Sequence, residues 1–153
     1  MRAGAGSQRG NMATARGSIV VGTDGSERAE RAVDRAGELA QLLEVKVDVV
    51  SAYSKGSDTL LGASGHEEKE DRTRAGHYVD RAQRRLARMG VESETHVWPG
   101  QPADALAQIA DEQMAQMIVI GNRGMTGARR VLGSVPNRVS HNAPCDVLIV
   151  TTD

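Results

Sequence analysis

The residues best suited to chemistry lie between Gly121 and Ser134, in Gly-Asn-Arg-Gly-Met-Thr-Gly-Ala-Arg-Arg-Val-Leu-Gly-Ser. This stretch follows Met117-Ile118-Val119-Ile120, a run that reads as a short buried strand, and it ends where the pattern of a helix begins. It is therefore a strand-to-helix loop in which glycines let backbone N–H groups approach a ligand closely. Gly133-Ser134 opens a helix whose first N–H groups have no partner within it, and an anion suits that position. Arg123, Arg129 and Arg130 add local positive charge appropriate to phosphate. The competing reading is that Gly121 and Gly124 only shape a turn.

A second signal stands near the start of the chain. Ser18-Ile19-Val20-Val21 ends in Gly22-Thr23-Asp24-Gly25-Ser26, and a helical pattern follows at once. Asp24 or Ser26 can cap that helix, with Glu27 and Glu30 suited to the positive end of its dipole. Asp24 is thus a cap, a ligand contact, or both.

Several classes of function are disfavoured. With 19 basic and 20 acidic residues and a net charge of -1, the chain offers no general polyanion surface, so no nucleic-acid partner is expected. There is no G-x-x-x-x-G-K-[ST] loop, no nucleophile elbow and no Cys or His pair at metal-ligand spacing, so neither an enzyme nor a metal centre is expected. His66, His77, His96 and His141 fall on different segments, and a single Cys145 excludes an internal disulfide. The apolar runs are strand-length, which speaks against a membrane span. Residues 1–17 carry no apolar signal region and read as a disordered tail ahead of one domain spanning 18–153, with a cytoplasmic location expected.

The elements that must position the two glycine loops alternate. The first helix carries Ala32, Val33, Ala36, Leu39, Ala40 and Leu43 on one face. Val45 to Tyr53 is a second strand, and residues 54–70 read as a polar loop able to close over a ligand. Asp71 to Met89 is a charged helix stopped by Gly90, followed by a strand over Val91 to Trp98 and a helix from Pro102. The last helix follows the glycine loop, and Cys145 to Val150 is the fifth strand.

Five strands alternating with helices imply an α/β fold: a doubly wound parallel sheet with right-handed crossovers and helices on both faces. In strand order 3-2-1-4-5 the winding reverses between strands one and four. That reversal brings Asp24 and Gly121 together at the ligand-binding edge. Ser51 to Tyr53 would then wall the site beside an adenine or ribose. The fifth strand becomes an apolar edge, and pairing of Asp146 to Val150 with its copy would cover it in a homodimer.

Taken together, Ile19 to Ser26, Met117 to Gly124, Gly133 to Asn137 and Ala143 to Val150 resemble the universal stress protein family. The similarity spans about residues 18–152. It implies a small adenine nucleotide alpha hydrolase-like domain, usually dimeric. It also implies binding of ATP or a related adenine nucleotide, such as AMP or cyclic AMP, with Mg2+ held through the phosphates. On that resemblance Gly22, Thr23 and Asp24 approach the nucleoside and Ala52 contacts the base. Ribose and phosphates fall to Gly121, Asn122, Arg123, Gly124, Met125, Thr126, Gly127, Gly133, Ser134 and Val135. Eight residues, Met125 to Leu132, separate Gly124 from Gly133 here, where the nucleotide-binding branch has nine. The shorter spacing favours the alternative, a dimeric scaffold that binds no nucleotide.

Overall fold

Short β-branched runs make the strands. In the computed structural model, which describes residues 17–55, 64–122 and 133–152, Ile19–Gly22 forms β1, Val47–Tyr53 β2, Ser93–Pro99 β3, Met117–Gly121 β4 and Asp146–Val150 β5. All pair in parallel in the order β3-β2-β1-β4-β5, the arrangement expected from the alternation of elements. Consecutive side chains on a strand point to opposite faces, so each buried strand feeds two cores. Ile19, Val21, Val49 and Val119 pack on one face under α1 (Glu27–Leu43) and α2 (Ser64–Arg88). Val20, Val50, Ile118 and Ile120 pack on the other under α3 (Pro102–Glu112) and α4 (Ser134–Asn142). Trp98 joins this second core, as an anchor at the end of its strand.

The sequence and structure part company at α2. Its helix starts at Ser64, not at Asp71, so the second half of the expected 54–70 loop is helical. Glu67, Glu68, Lys69 and Glu70 are good helix formers, and acidic residues in a first turn favour the helix dipole. A cation network then ties α2 to α1. Arg85 makes a two-point contact with Asp34, and Arg81 reaches Glu30 at 3.3 Å.

Candidate functional site

The carboxyl ends of β1, β2 and β4 open into a cavity of about 530 Å³, within the range typical of small-molecule pockets. It sits where the winding reverses. Gly22, Thr23 and Asp24 form one rim, Val50 and Ala52 the β2 side, and Ile120 and Gly121 the end of β4. Pro102 and Leu106 of α3 and Val135 and Pro136 of α4 complete the wall.

Local sequence explains each position. Ser26 Oγ accepts a hydrogen bond from the Ala29 N–H at 3.2 Å and caps α1. Asp24 Oδ1 accepts from the Ser26 N–H at 3.0 Å, and Thr23 Oγ1 accepts from the Gly25 N–H at 3.1 Å. Asp24 therefore braces the cap rather than being the cap, and its exposed side chain stays at the rim. Gly25 has φ of 78°, and a Cβ there would lie 2.3 Å from the Tyr78 ring, so α2 holds the loop from below. The Arg81 guanidinium donates to the Gly25 carbonyl from the same helix.

Across the cavity, α4 begins at Ser134 behind the N-cap Gly133, which supplies no side-chain cap, so among the described residues its leading N–H groups suit an anion. The α1, α3 and α4 N-termini converge on one space, and each contributes the positive end of a helix dipole. Gly121 closes the β4 edge tightly, since a Cβ there would meet Thr152 Cγ2 at 3.1 Å. The arrangement offers an apolar slot of Leu106, Val50, Ala52 and Pro102 beside helix ends suited to an anion.

Of the residues expected at the site, Gly22, Thr23, Asp24, Ala52, Gly121 and Val135 line the cavity. Gly133 and Ser134 stand at the α4 start beside it. Asn122 is buried, and its Oδ1 accepts both the Thr152 N–H and hydroxyl at 3.0 and 2.8 Å. Its side chain thus joins the ends of β4 and β5 instead of lining the cavity. Arg123, Gly124, Met125, Thr126 and Gly127 lie outside the described residues, as do Arg129 and Arg130. The lining also takes in Ser26 and Glu27, marked in the sequence only as cap and dipole residues, and Arg28, Ala29, Val50, Pro102, Leu106, Ile120 and Pro136, which the sequence did not mark as lining. Arg28 had a usable signal, a cation in the first turn of the helix that follows the Asp24 loop.

A five-stranded parallel sheet in this order, with its cavity at the switch point, defines an adenine nucleotide alpha hydrolase-like α/β domain. The chain belongs to the universal stress protein family, whose model matches residues 16–151. It is 38% identical over 141 residues to a universal stress protein of Mycobacterium tuberculosis, covering 88% of this chain and 96% of that one. Among solved structures, a universal stress protein in complex with cAMP is 36% identical with a TM-score of 0.72, covering 90% of this chain and 98% of the other. A universal stress protein from Archaeoglobus fulgidus in complex with dAMP is 32% identical with a TM-score of 0.72, covering 88% and 97%.

Proposed function

We propose that this protein is a regulatory module of the stress response that binds an adenine nucleotide and does not turn it over. The observation that carries this is the switch-point cavity, with an apolar slot on one side and the start of α4, which has no side-chain cap, on the other. The similar proteins solved with cAMP and dAMP support the class, since both ligands combine adenine with a single phosphate. Leu106, Val50, Ala52 and Pro102 would sandwich the base, with polar groups of the Gly22 to Asp24 turn at the ribose. Backbone N–H groups of Gly121, Ser134 and Val135 would meet phosphate oxygens. ATP is the principal candidate, with AMP and cyclic AMP as competitors and Mg2+ carried through the phosphates of ATP.

Calorimetric titration of nucleotide-stripped protein with ATP, AMP, cyclic AMP and GTP tests this. Micromolar binding of at least one adenine nucleotide is expected, with GTP weaker and Ala52→Trp abolishing the heat by filling the slot. The eight-residue spacing before Gly133 favours a second reading, a scaffold without nucleotide. Absence of heat at millimolar nucleotide would select it. Gly121→Val is a poor control, because its side chain would also displace Thr152.

A further inference from the structure

One charge in the cavity stands where the helix that carries it is worst suited to hold it. Arg28 is the second residue of α1, and among the described residues that line the cavity it is the sole cation. A helix start carries the positive end of the dipole, where acidic residues such as Glu27 and Glu30 are favoured and an arginine is not. No neighbour on the helix relieves it. The positions three and four residues on are Arg31 and Ala32, and Glu27, one residue back, points about 100° away round the helix.

The other cations of α1 are engaged. Arg31 donates to the Thr152 carbonyl, and Arg35 pairs with Glu38 at 3.6 Å. Arg28 is exposed and has no ion-pair partner among the described residues. Its backbone is nevertheless fixed against the end of β4, because the Arg28 carbonyl oxygen lies 3.7 Å from where a Gly121 Cβ would stand. The first turn of α1 is thus seated beside the backbone proposed above to meet phosphate. From Gln113 to Cys145 the sequence contains Arg123, Arg129, Arg130 and Arg138 and no carboxylate, so the chain on either side of Gly121 brings no local acid to Arg28.

We propose, on the adenine-nucleotide reading of the cavity, that Arg28 binds the phosphates beyond the first, so that the site selects nucleoside di- and triphosphates over monophosphates. A guanidinium presents its donors in a planar fork that matches phosphate oxygens, and it stays charged throughout the physiological pH range. Backbone N–H groups at the cavity floor suffice for one phosphate. A longer chain extends toward solvent, where an exposed arginine on a flexible stem can follow it. The unfavourable charge at the start of α1 is then a local cost that a bound polyphosphate offsets, as expected where a binding role overrides a rule of helix stability.

The test is calorimetric titration of nucleotide-stripped wild type, Arg28→Gln and Arg28→Lys with ATP, ADP, AMP and cyclic AMP at one salt and Mg2+ concentration. The wild type is expected to bind ATP and ADP more tightly than AMP or cyclic AMP. Arg28→Gln should weaken ATP and ADP by roughly tenfold or more, the scale of hydrogen bonds to a charged group, and leave AMP and cyclic AMP within about twofold. Arg28→Lys should recover part of the loss, since it keeps the charge without the fork. Melting of the nucleotide-free proteins gives a second readout. Removing a cation from the positive end of the dipole should leave the Arg28→Gln melting temperature unchanged or raised. An equal loss for all four nucleotides, no loss for any, or a destabilised Arg28→Gln would overturn the proposal, as would a wild type that binds AMP as tightly as ATP. A wild type that binds no nucleotide removes the adenine reading and this role with it, whereas tight ATP binding that ignores Arg28 removes this role alone.

Discussion

At the scale of single residues, Asp24 separates structural from ligand roles. Its Oδ1 accepts the Ser26 N–H, a bond that an asparagine at 24 can keep and an alanine cannot. Asp24→Asn is expected to hold the melting temperature within about 1 °C, the scale of neutral surface changes. It should still weaken adenine nucleotide binding by roughly tenfold, the loss of one charge-assisted hydrogen bond. Equal affinity in Asp24→Asn and wild type would reduce Asp24 to a brace for the turn. Cys145 gives a second test. Burial, followed by the Asp146 carboxylate, pushes its thiol above the ordinary value, so less thiolate is present near pH 8 than in a free cysteine. Iodoacetamide should therefore modify Cys145 more slowly than a model thiol, with the rate still climbing at more alkaline pH. A rate matching the model thiol would contradict that burial.

Much of the rim was legible residue by residue, and the reasons are chemical. Gly22 to Ser26 and Gly121 declare themselves because glycine and capping residues between a strand and a helix have few other uses. Leu106, Pro102, Val50 and Ile120 were not legible as cavity residues. An apolar residue facing a ligand and one facing a core carry the same periodicity, and only the crossovers of the folded sheet separate them. The side-chain contact of Asn122 was hidden for a different reason. Its partner Thr152 lies 30 residues away, and no local pattern announces a contact between the ends of β4 and β5.

At the scale of elements, α2 and β5 teach opposite lessons. The start of α2 was hidden, because Ser64 and Gly65 look like loop residues while the charges after them favour a helix once α2 docks on α1 and the sheet. The edge position of β5 was open to inference from strand order alone, and the sheet has it there. Val147, Leu148 and Ile149 are only half-buried on that edge, which calls for cover. We propose that a second copy supplies it by two-fold pairing of β5. Light scattering at micromolar concentration should give a dimer, and Leu148→Pro, which removes an N–H at mid-strand, should give a monomer. A monomeric wild type, or a dimer that survives Leu148→Pro, would place the interface elsewhere or remove it.

At the scale of the whole molecule, the two ends of the parallel sheet differ. Its carboxyl edge gathers three helix N-termini around an apolar slot, whereas its opposite end, beneath the same α3 face, keeps the buried Asp48 paired with His96 and Lys46. Strand order was readable because alternating strands and helices permit few right-handed windings. The buried polar cluster was not, since Asp48 and His96 are 48 residues apart and meet only through the register of β2 with β3. Among the described residues no helix is long and apolar enough to cross a membrane.

The central claim is that an adenine nucleotide occupies the switch-point cavity, and amide NMR of 15N-labelled, nucleotide-stripped protein titrated with ATP tests it most directly. Saturable shifts are expected at Gly22, Thr23, Asp24, Ala52, Gly121 and Val135, with the amides of Asp48 and His96 little changed. Shifts centred on another surface, or none at millimolar ATP, AMP and cyclic AMP, would contradict it.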